Sequence, residues 1–133
     1  HKKISSLNSL KDLEELKIEL EDRFGKIDVE VLTYMYEKLF KKLSSKVGIE
    51  KTIKESDSVK MIVSLDASER IDGMKLLFAA TNVKTKVSLA DKRGHVEINM
   101  ITKNHKEHWL YLASELLETY LKAEKNEEIT WVN

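Results

Sequence analysis

The apolar pattern between residues 29 and 47 constrains the fold of this chain more than any other feature. Apolar side chains recur there at steps of three and four residues, which places them on one face of an α-helix. Asp28 precedes the pattern as a candidate N-cap, and Gly48, which can adopt the left-handed conformation, follows it. The stripe comprises Val29, Leu32, Met35, Tyr36, Leu39, Phe40, Leu43 and Val47.

A similar pattern precedes this helix. Ser9 and Asp12 form an approximate capping box, and Gly25 follows the last apolar residue. We therefore predict a helix over 10–24, with a short helix over 2–7 before it. The apolar stripe of the longer helix consists of Leu10, Leu13, Leu16, Leu20 and Phe24.

Two strand pairs lie further along the chain. Residues 49–54 and 59–65 are rich in β-branched side chains and are separated by a short polar turn. Residues 83–89 and 95–101 alternate between apolar and polar side chains and flank a hairpin turn at 91–94.

Helical patterns separate and follow the strand pairs. Asp66 with Glu69 predicts a helix start between the pairs, and Asn104 with Glu107 predicts another after the second pair. The first of these helices should turn inward Ala67, Ile71, Met74, Leu77 and Phe78. The second should turn inward Trp109, Leu112, Ala113, Leu116, Leu117 and Tyr120. The order α-α-β-β-α-β-β-α, joined by hairpins, predicts an α+β fold in which helices pack on a small, largely antiparallel sheet.

Composition restricts the classes of function. With 133 residues, the chain fits a single domain over 1–133, with 125–133 as a tail. The formal net charge of zero argues against strong sequence-independent binding to nucleic acid. The absence of cysteine excludes disulfides and thiolate zinc sites, and with no membrane-spanning run or signal peptide we expect a cytoplasmic protein. Because the chain begins with His1, we expect it to be part of a longer protein.

Histidines and paired carboxylates offer weak grounds for catalysis, since glycine-rich phosphate loops and Gly-x-Ser-x-Gly elbows are absent from the sequence. His105 and His108, at i and i+3 of a predicted helix, could hold a metal together with His95. The favoured interpretation is two polar residues in a first helical turn. Two carboxylate pairs read as charged surface or tail: Glu14 with Glu15, and Glu127 with Glu128. We therefore expect no catalytic, metal or cofactor site and keep a small metal- or acid-dependent enzyme as an alternative.

A basic cluster on the second helix suggests another alternative. Lys38, Lys41 and Lys42 lie on its outer face beside Tyr34, and lysines beside an aromatic side chain can contact nucleic acid. Three lysines are few, so a solvated helix face explains them better. A nucleic-acid-binding module is therefore the second alternative.

An acidic row runs along the helix predicted over 10–24. Asp12, Glu15, Glu19 and Asp22 follow steps of three and four residues on the side away from the leucines, and Ile18 projects close to Asp22. Such a row with one apolar side chain suits docking onto a basic partner surface. A solvated helix face is the competing interpretation.

The segment Arg23-Phe24-Gly25 ends the same helix. Phe24 should anchor the helix end in the core, Gly25 should permit the chain to reverse, and Arg23 should lie near the negative end of the helix dipole. This end should fix the acidic row relative to the next helix.

The segment LEELKIELEDRFG and the helix ending in KVGIEKTIK resemble the C-terminal domain of bacterial transcription-repair coupling factor. In that family, a helix with the pattern E-L-x-x-E-L-x-D-R-F-G precedes a helix that leads into an L-G-I strand start. The matching positions are Glu15-Leu16, Glu19-Leu20, Asp22-Arg23-Phe24-Gly25 and Val47-Gly48-Ile49. The order of elements extends the resemblance over 2–122, and residues 13–51 match most specifically. Asp28 stands where the family usually has proline, and Val47 replaces the usual leucine.

This resemblance implies a regulatory role without catalysis. The family's full protein is a DNA translocase that removes stalled RNA polymerase and recruits excision repair through UvrA, and its ATPase motor lies upstream of this region. In the family, the C-terminal domain packs on the protein's own UvrB-like module, covers the UvrA-binding surface and restrains the motor. The acidic pair that faces basic residues of that module corresponds to Glu19 and Asp22. The resemblance thus implies a domain without a cofactor, whose parent protein engages UvrA, RNA polymerase and DNA; we also expect this domain to be monomeric.

Overall fold

One antiparallel sheet of four strands organises the structure, a computed structural model that describes residues 2–125. The strands are β1 (Ile49–Lys54), β2 (Ser58–Val63), β3 (Val87–Lys92) and β4 (His95–Ile101), and their order across the sheet is β1-β2-β4-β3. Each neighbouring pair is antiparallel. The predicted α+β class and the antiparallel sheet are confirmed.

The helices occur in the predicted order, with one short helix that the sequence patterns did not predict. They are α1 (Lys2–Ser5), α2 (Leu10–Phe24), α3 (Val29–Val47), α4 (Leu65–Ser68), α5 (Gly73–Asn82) and α6 (Trp109–Lys125). Alternate residues of β2 and β4 are fully buried in the core cluster that the helices complete: Val59, Met61, Val63, Ile98 and Met100.

The centre of the helical layer is the contact between α3 and α6. Two pairs of rings meet there edge to face: Tyr36 and Tyr111 have centroids 6.0 Å apart, and Phe40 and Trp109 have centroids 5.7 Å apart. Such edge-to-face pairs add about 0.5–1.5 kcal/mol to the stabilisation from buried area. The part of the apolar stripe predicted on α3 that contains Tyr36 and Phe40 therefore packs against the final helix, whereas Val29 at its start is exposed.

Polar contacts join α2 to this layer. The Ser9 hydroxyl accepts a hydrogen bond from the Asp12 backbone N–H at 3.0 Å, as the predicted cap requires. Glu118 of α6 accepts a second bond, at 2.9 Å, from the backbone N–H of Leu10. Both acceptors satisfy donors that a helix start leaves unpaired, so the N-terminus of α2 is fixed by its own sequence and by α6.

The inward face predicted for α5 is wrong. Met74, Leu77 and Phe78 are exposed by 75%, 41% and 41%, whereas the buried residues of the helix are Lys75, Leu76, Ala79 and Ala80. The predicted stripe began at Ala67, but Ala67 belongs to the separate helix α4, which Ser64 caps rather than Asp66. A new helix starts at Asp72, whose carboxylate accepts from the Lys75 N–H at 3.2 Å, so the helical register restarts there.

Several predicted boundaries also differ from the structure: α1 ends at Ser5, and β2 ends at Val63 because Leu65 already starts α4. The backbone of Lys84 has a φ of 58°, and the Thr85 N–H donates to the Ala80 carbonyl at 3.0 Å, so the end of α5 delays β3 until Val87. The β3–β4 loop is the pair Arg93-Gly94, with φ values of 56° and 87°, as in a two-residue hairpin whose central residues both have positive φ.

The last helix begins later than predicted. Neither Asn104 nor Glu107 caps it, since Asn104 has a φ of 68° and α6 starts at Trp109. His108 takes the capping place instead: its Nδ1 accepts from the Leu110 N–H at 3.1 Å. His105 and His108 therefore precede the helix and do not share one of its faces.

Candidate docking surface

Helix α2 presents the acidic row away from the core. Leu13 and Leu16 are buried on its inner side, so their burial fixes which side of the helix faces solvent. On that outer side Glu15 and Asp22 are exposed, Ile18 is 58% exposed, and Glu19 is half-buried. An apolar side chain thus stands in solvent among carboxylates, as the amphipathic pattern predicted.

One member of the row is already paired within the chain. The Lys3 ammonium of α1 donates a short hydrogen bond to the Glu19 carboxylate, and solvent still reaches 57% of the Lys3 side chain and 41% of the Glu19 side chain. This bond, together with the positive charge of Lys3, lowers the pKa of Glu19. Because water reaches both groups, the pair can be exchanged for another cation at little net cost. Sequence patterns alone did not reveal it, since the two residues lie in different helices.

A cleft separates α1 from α2 beneath this ion pair. Its volume is about 410 Å³, and it is lined by Lys3, Ser6, Leu7, Asp12, Glu15, Leu16 and Glu19. Asp12 has a structural task at one end, where its carboxylate accepts from the Asn8 N–H at 3.0 Å. Among the carboxylates of the row, Glu15 and Asp22 thus make no side-chain hydrogen bond or ion pair within the described residues.

The end of α2 differs from the prediction in one respect. Gly25 has a φ of 85°, and its N–H donates to the Glu21 carbonyl at 2.9 Å, so it ends the helix as expected. Arg23 is exposed in the last turn, also as expected. Phe24, however, is 77% exposed and does not anchor the helix in the core. Periodicity indicates the direction of a side chain but not its depth, and the end of α2 extends past the core.

Phe24 instead belongs to an apolar tip at the α2–α3 turn. Val29 is exposed beside this turn, and a small cleft of about 240 Å³ opens there. The cleft is lined by Leu20, Phe24, Gly25, Lys26, Ile27, Asp28 and Val31. Asp28 precedes α3 as predicted, although its side chain makes no capping hydrogen bond. The acidic row therefore ends at an exposed apolar surface that sequence reasoning missed.

The three histidines proposed as metal ligands make unrelated contacts. His95 Nδ1 lies 2.8 Å from the Val63 carbonyl and 3.7 Å from a Glu50 carboxylate oxygen. His105 lies 4.0 Å from Glu107, and His108 caps α6. Within residues 2–125, no group of three or more histidine, aspartate or glutamate side chains is placed to hold a metal ion.

Two of the three lysines in the basic cluster of α3 already make contacts within the chain. Lys42 donates from its ammonium to the Ser5 carbonyl at 2.9 Å and to the Asn8 side-chain oxygen at 3.2 Å, and thereby holds α1. Lys38 lies 5.2 Å from the centre of the Tyr34 ring, a cation–π contact. Only Lys41 stays exposed without such a contact, so the cluster offers little to a phosphate backbone.

The two carboxylate pairs considered from the sequence, and the absence of a membrane-spanning run, can be compared with the described residues. Glu14 and Glu15 are exposed on α2, and the pair Glu127 and Glu128 lies outside the described residues. None of the helices in the described part of the chain combines the length and the apolar composition that crossing a bilayer requires.

Comparison with known proteins places this surface in a family. The model of the TRCF domain matches residues 1–76, which contain the acidic row and the α2–α3 turn. A solved structure, the crystal structure of the C-terminal domain of transcription-repair coupling factor, is similar with a TM-score of 0.71 and 23% identity; the match covers 96% of this chain and 80% of that chain. At 23% identity, this similarity shows that the two chains share a fold. Among curated proteins no match was found. Because the family model covers more than half of the 133 residues, the chain belongs to the TRCF domain family.

Proposed function

We propose that this chain is the C-terminal regulatory domain of a transcription-repair coupling DNA translocase and has no catalytic activity of its own. In this role the outer side of α2 docks on the UvrB-like module of the same protein. Docking masks the UvrA-binding surface of that module and restrains the motor until the parent protein engages RNA polymerase and DNA. The observation that carries the proposal is the exposed row of Glu15, Ile18, Glu19 and Asp22, which lies inside the family match.

The row suits a contact that must be released. Exposed carboxylates attract a basic surface through water, so each pair contributes little and is screened by salt. Ile18 adds apolar area at the flank of the row beside Asp22, and the exposed Phe24 adds more at its end. A partner that competes for the module needs only a modest difference in binding free energy to displace such a contact.

The ion pair between Lys3 and Glu19 reduces the affinity that the acidic row can have for a basic partner. A basic residue of the module must either displace the Lys3 ammonium from Glu19 or bind at Glu15 and Asp22 on either side of it. Displacement exchanges one exposed ion pair for another, which lowers the net gain from docking. The intrachain pair therefore weakens the contact and counts against Glu19 as a free member of the row, so the proposal depends mainly on Glu15, Ile18 and Asp22.

Charge reversal tests this function. The double substitution Glu19→Lys and Asp22→Lys should weaken binding to the isolated UvrB-like module, because cations would then face the basic residues expected on that module. Calorimetric titration at low and at physiological salt would measure the effect, which should shrink as salt increases.

Glu30→Lys with Glu37→Lys supplies the matched control. Both glutamates are exposed on α3, so the net charge changes equally while the outer side of α2 stays intact. The control should bind almost as the wild type does, and circular dichroism should show folded protein in every case. Equal affinity for the wild type and the α2 variant would rule out this interface.

A further inference from the structure

The sheet has one regular open edge, at β3. Among the described residues, β1 and β3 are the outer strands. The edge at β1 is interrupted by an irregularity between Ile49 and Lys51, a feature that discourages another strand from pairing. By contrast, β3 pairs with β4 in an unbroken register from Val87 to Lys92. The β3 edge is therefore the better template for an added strand.

The main chain of β3 is oriented for such pairing. The Ile101 N–H donates to the Lys86 carbonyl at 2.9 Å, which makes these two residues a hydrogen-bonded pair just before the strand. In an antiparallel ladder the pattern alternates, so Val87 and Leu89 direct their N–H and C=O groups away from β4. Within residues 2–125, these main-chain groups have no hydrogen-bond partner outside the strand pairing.

Helix α5, which carries exposed apolar side chains, begins beside this edge on the helical side of the sheet. The start of α5 is close to β3, since a Cβ added to Gly73 would lie 3.3 Å from Leu89 Cδ1. Met74 and Leu77 then project from α5 as exposed side chains. A strand added beyond β3 would place every second side chain on this side of the sheet.

The opposite side of the same edge is basic. The register puts Lys86 and Lys92 on the face of the sheet away from α5, where both are exposed without an ion pair among the described residues. The register puts the Asp91 carboxylate on the α5 side with Leu89, where it accepts a hydrogen bond from the Gly94 N–H at 3.0 Å and so belongs to the hairpin turn. The remaining side chains of an added strand would meet these two lysines.

We propose that β3 accepts an extended segment of a partner protein in which apolar residues alternate with acidic ones. Its apolar side chains rest on Met74 and Leu77, its acidic side chains pair with Lys86 and Lys92, and its backbone bonds to Val87 and Leu89. A second copy of this chain is a poorer occupant, because its own β3 would bring lysines against lysines. This inference uses a different face from α2 and does not depend on the function proposed for that helix.

A synthetic peptide in which glutamate alternates with valine tests the proposal on the full chain. Fluorescence anisotropy should detect its binding, and a peptide with lysine in place of every glutamate should bind more weakly. On peptide binding, hydrogen exchange followed by NMR should slow at the amides of Val87 and Leu89. Slowed exchange at β1 instead would place the site elsewhere and overturn the proposal.

Variants identify the contributing side chains. Lys86→Glu with Lys92→Glu should weaken binding of the acidic peptide by roughly threefold to tenfold at low salt. The matched control is Lys51→Glu with Lys54→Glu on β1, which changes the charge equally and should bind as the wild type does. Met74→Glu should also weaken binding. Val29→Glu should not, because Val29 is an equally exposed apolar residue at the start of α3, outside α5 and β3.

Two results would refute the inference. If the amides of Val87 and Leu89 are already protected in the free protein at low concentration, the edge is occupied by the chain itself. If protection appears only as protein concentration rises, a second copy is the occupant.

Discussion

At the scale of single residues, Lys3 decides how much of the acidic row is available. Its ammonium occupies Glu19, while Glu15 and Asp22 remain exposed on either side along α2. Helix α1, which carries Lys3, is held in turn by the Lys42 ammonium through the Ser5 carbonyl. A residue of α3 therefore places the cation that competes with any basic partner of α2.

Lys3→Ala should strengthen binding to the UvrB-like module by roughly twofold to fivefold, because Glu19 would no longer be neutralised within the chain. The same titration measures it. Lys51→Ala is the matched control: Lys51 is an exposed lysine of β1, outside α1 and α2, and its removal leaves the Lys3–Glu19 pair intact. Weaker binding of the Lys3 variant than of the control would mean that Lys3 contacts the partner itself.

At the scale of elements, the helix boundaries that are set by a capping residue or a glycine were predictable from the sequence. Ser9, Gly25 and Gly48 set the ends of α2 and α3 where the sequence patterns place them. The face of α5 was not predictable in the same way, because Asp72 restarts the helix after a break that the apolar pattern does not mark. Apolar periodicity predicts the direction of side chains around the axis of one helix. It does not predict that direction once a second helix begins.

The candidate docking surface was predictable from the sequence only in part, for the same reason. The exposure of Glu15, Ile18 and Asp22 follows from the leucines on the opposite side of α2. The exposure of Phe24 and the pairing of Glu19 depend on where the core ends and on how α1 packs, and neither is encoded within one helical turn. Tertiary placement therefore determined the features that the sequence patterns missed.

Gly48 joins α3 to β1, and its substitution tests how tightly that junction is packed. Its φ is 100°, and a Cβ there would lie 2.2 Å from the Cβ of Ala67. Gly48→Ala should lower the free energy of unfolding by about 2–5 kcal/mol, the sum of overpacking and left-handed strain. Gly25→Ala should cost less, because Gly25 also has positive φ but no atom lies within 4 Å of its added Cβ.

Urea denaturation would measure both losses, and a double-mutant cycle isolates the contact. Ala67→Gly removes the Cβ that the new side chain would meet, so adding it to Gly48→Ala should recover part of the loss. If the two substitutions are simply additive, or if Gly25→Ala costs as much as Gly48→Ala, backbone strain alone accounts for the effect.

At the scale of the whole molecule, α2 is the outer member of a layer whose centre is α3 and α6. Its buried residues are Leu13 and Leu16, whereas β2 and β4 contribute side chains with no exposed surface. Elements with fewer buried contacts open by local fluctuations, while central strands exchange only when the molecule unfolds. We therefore expect the candidate docking surface to lie on an element that can open without loss of the fold.

The Glu118 carboxylate links this outer element to the centre, so Glu118→Ala should free it selectively. The Leu10 N–H, which is partly buried, would lose its acceptor, at a cost of about 1–2 kcal/mol. Hydrogen exchange at the first turns of α2 should then quicken about tenfold, while the amides of β2 and β4 change less. Lys122→Ala is the matched control, since it removes only the exposed ammonium 3.6 Å from Glu118 and keeps the acceptor. If the Glu118 variant quickens exchange equally in α2 and in the central strands, α2 and the core unfold as one unit, and docking on α2 would report on the stability of the entire domain.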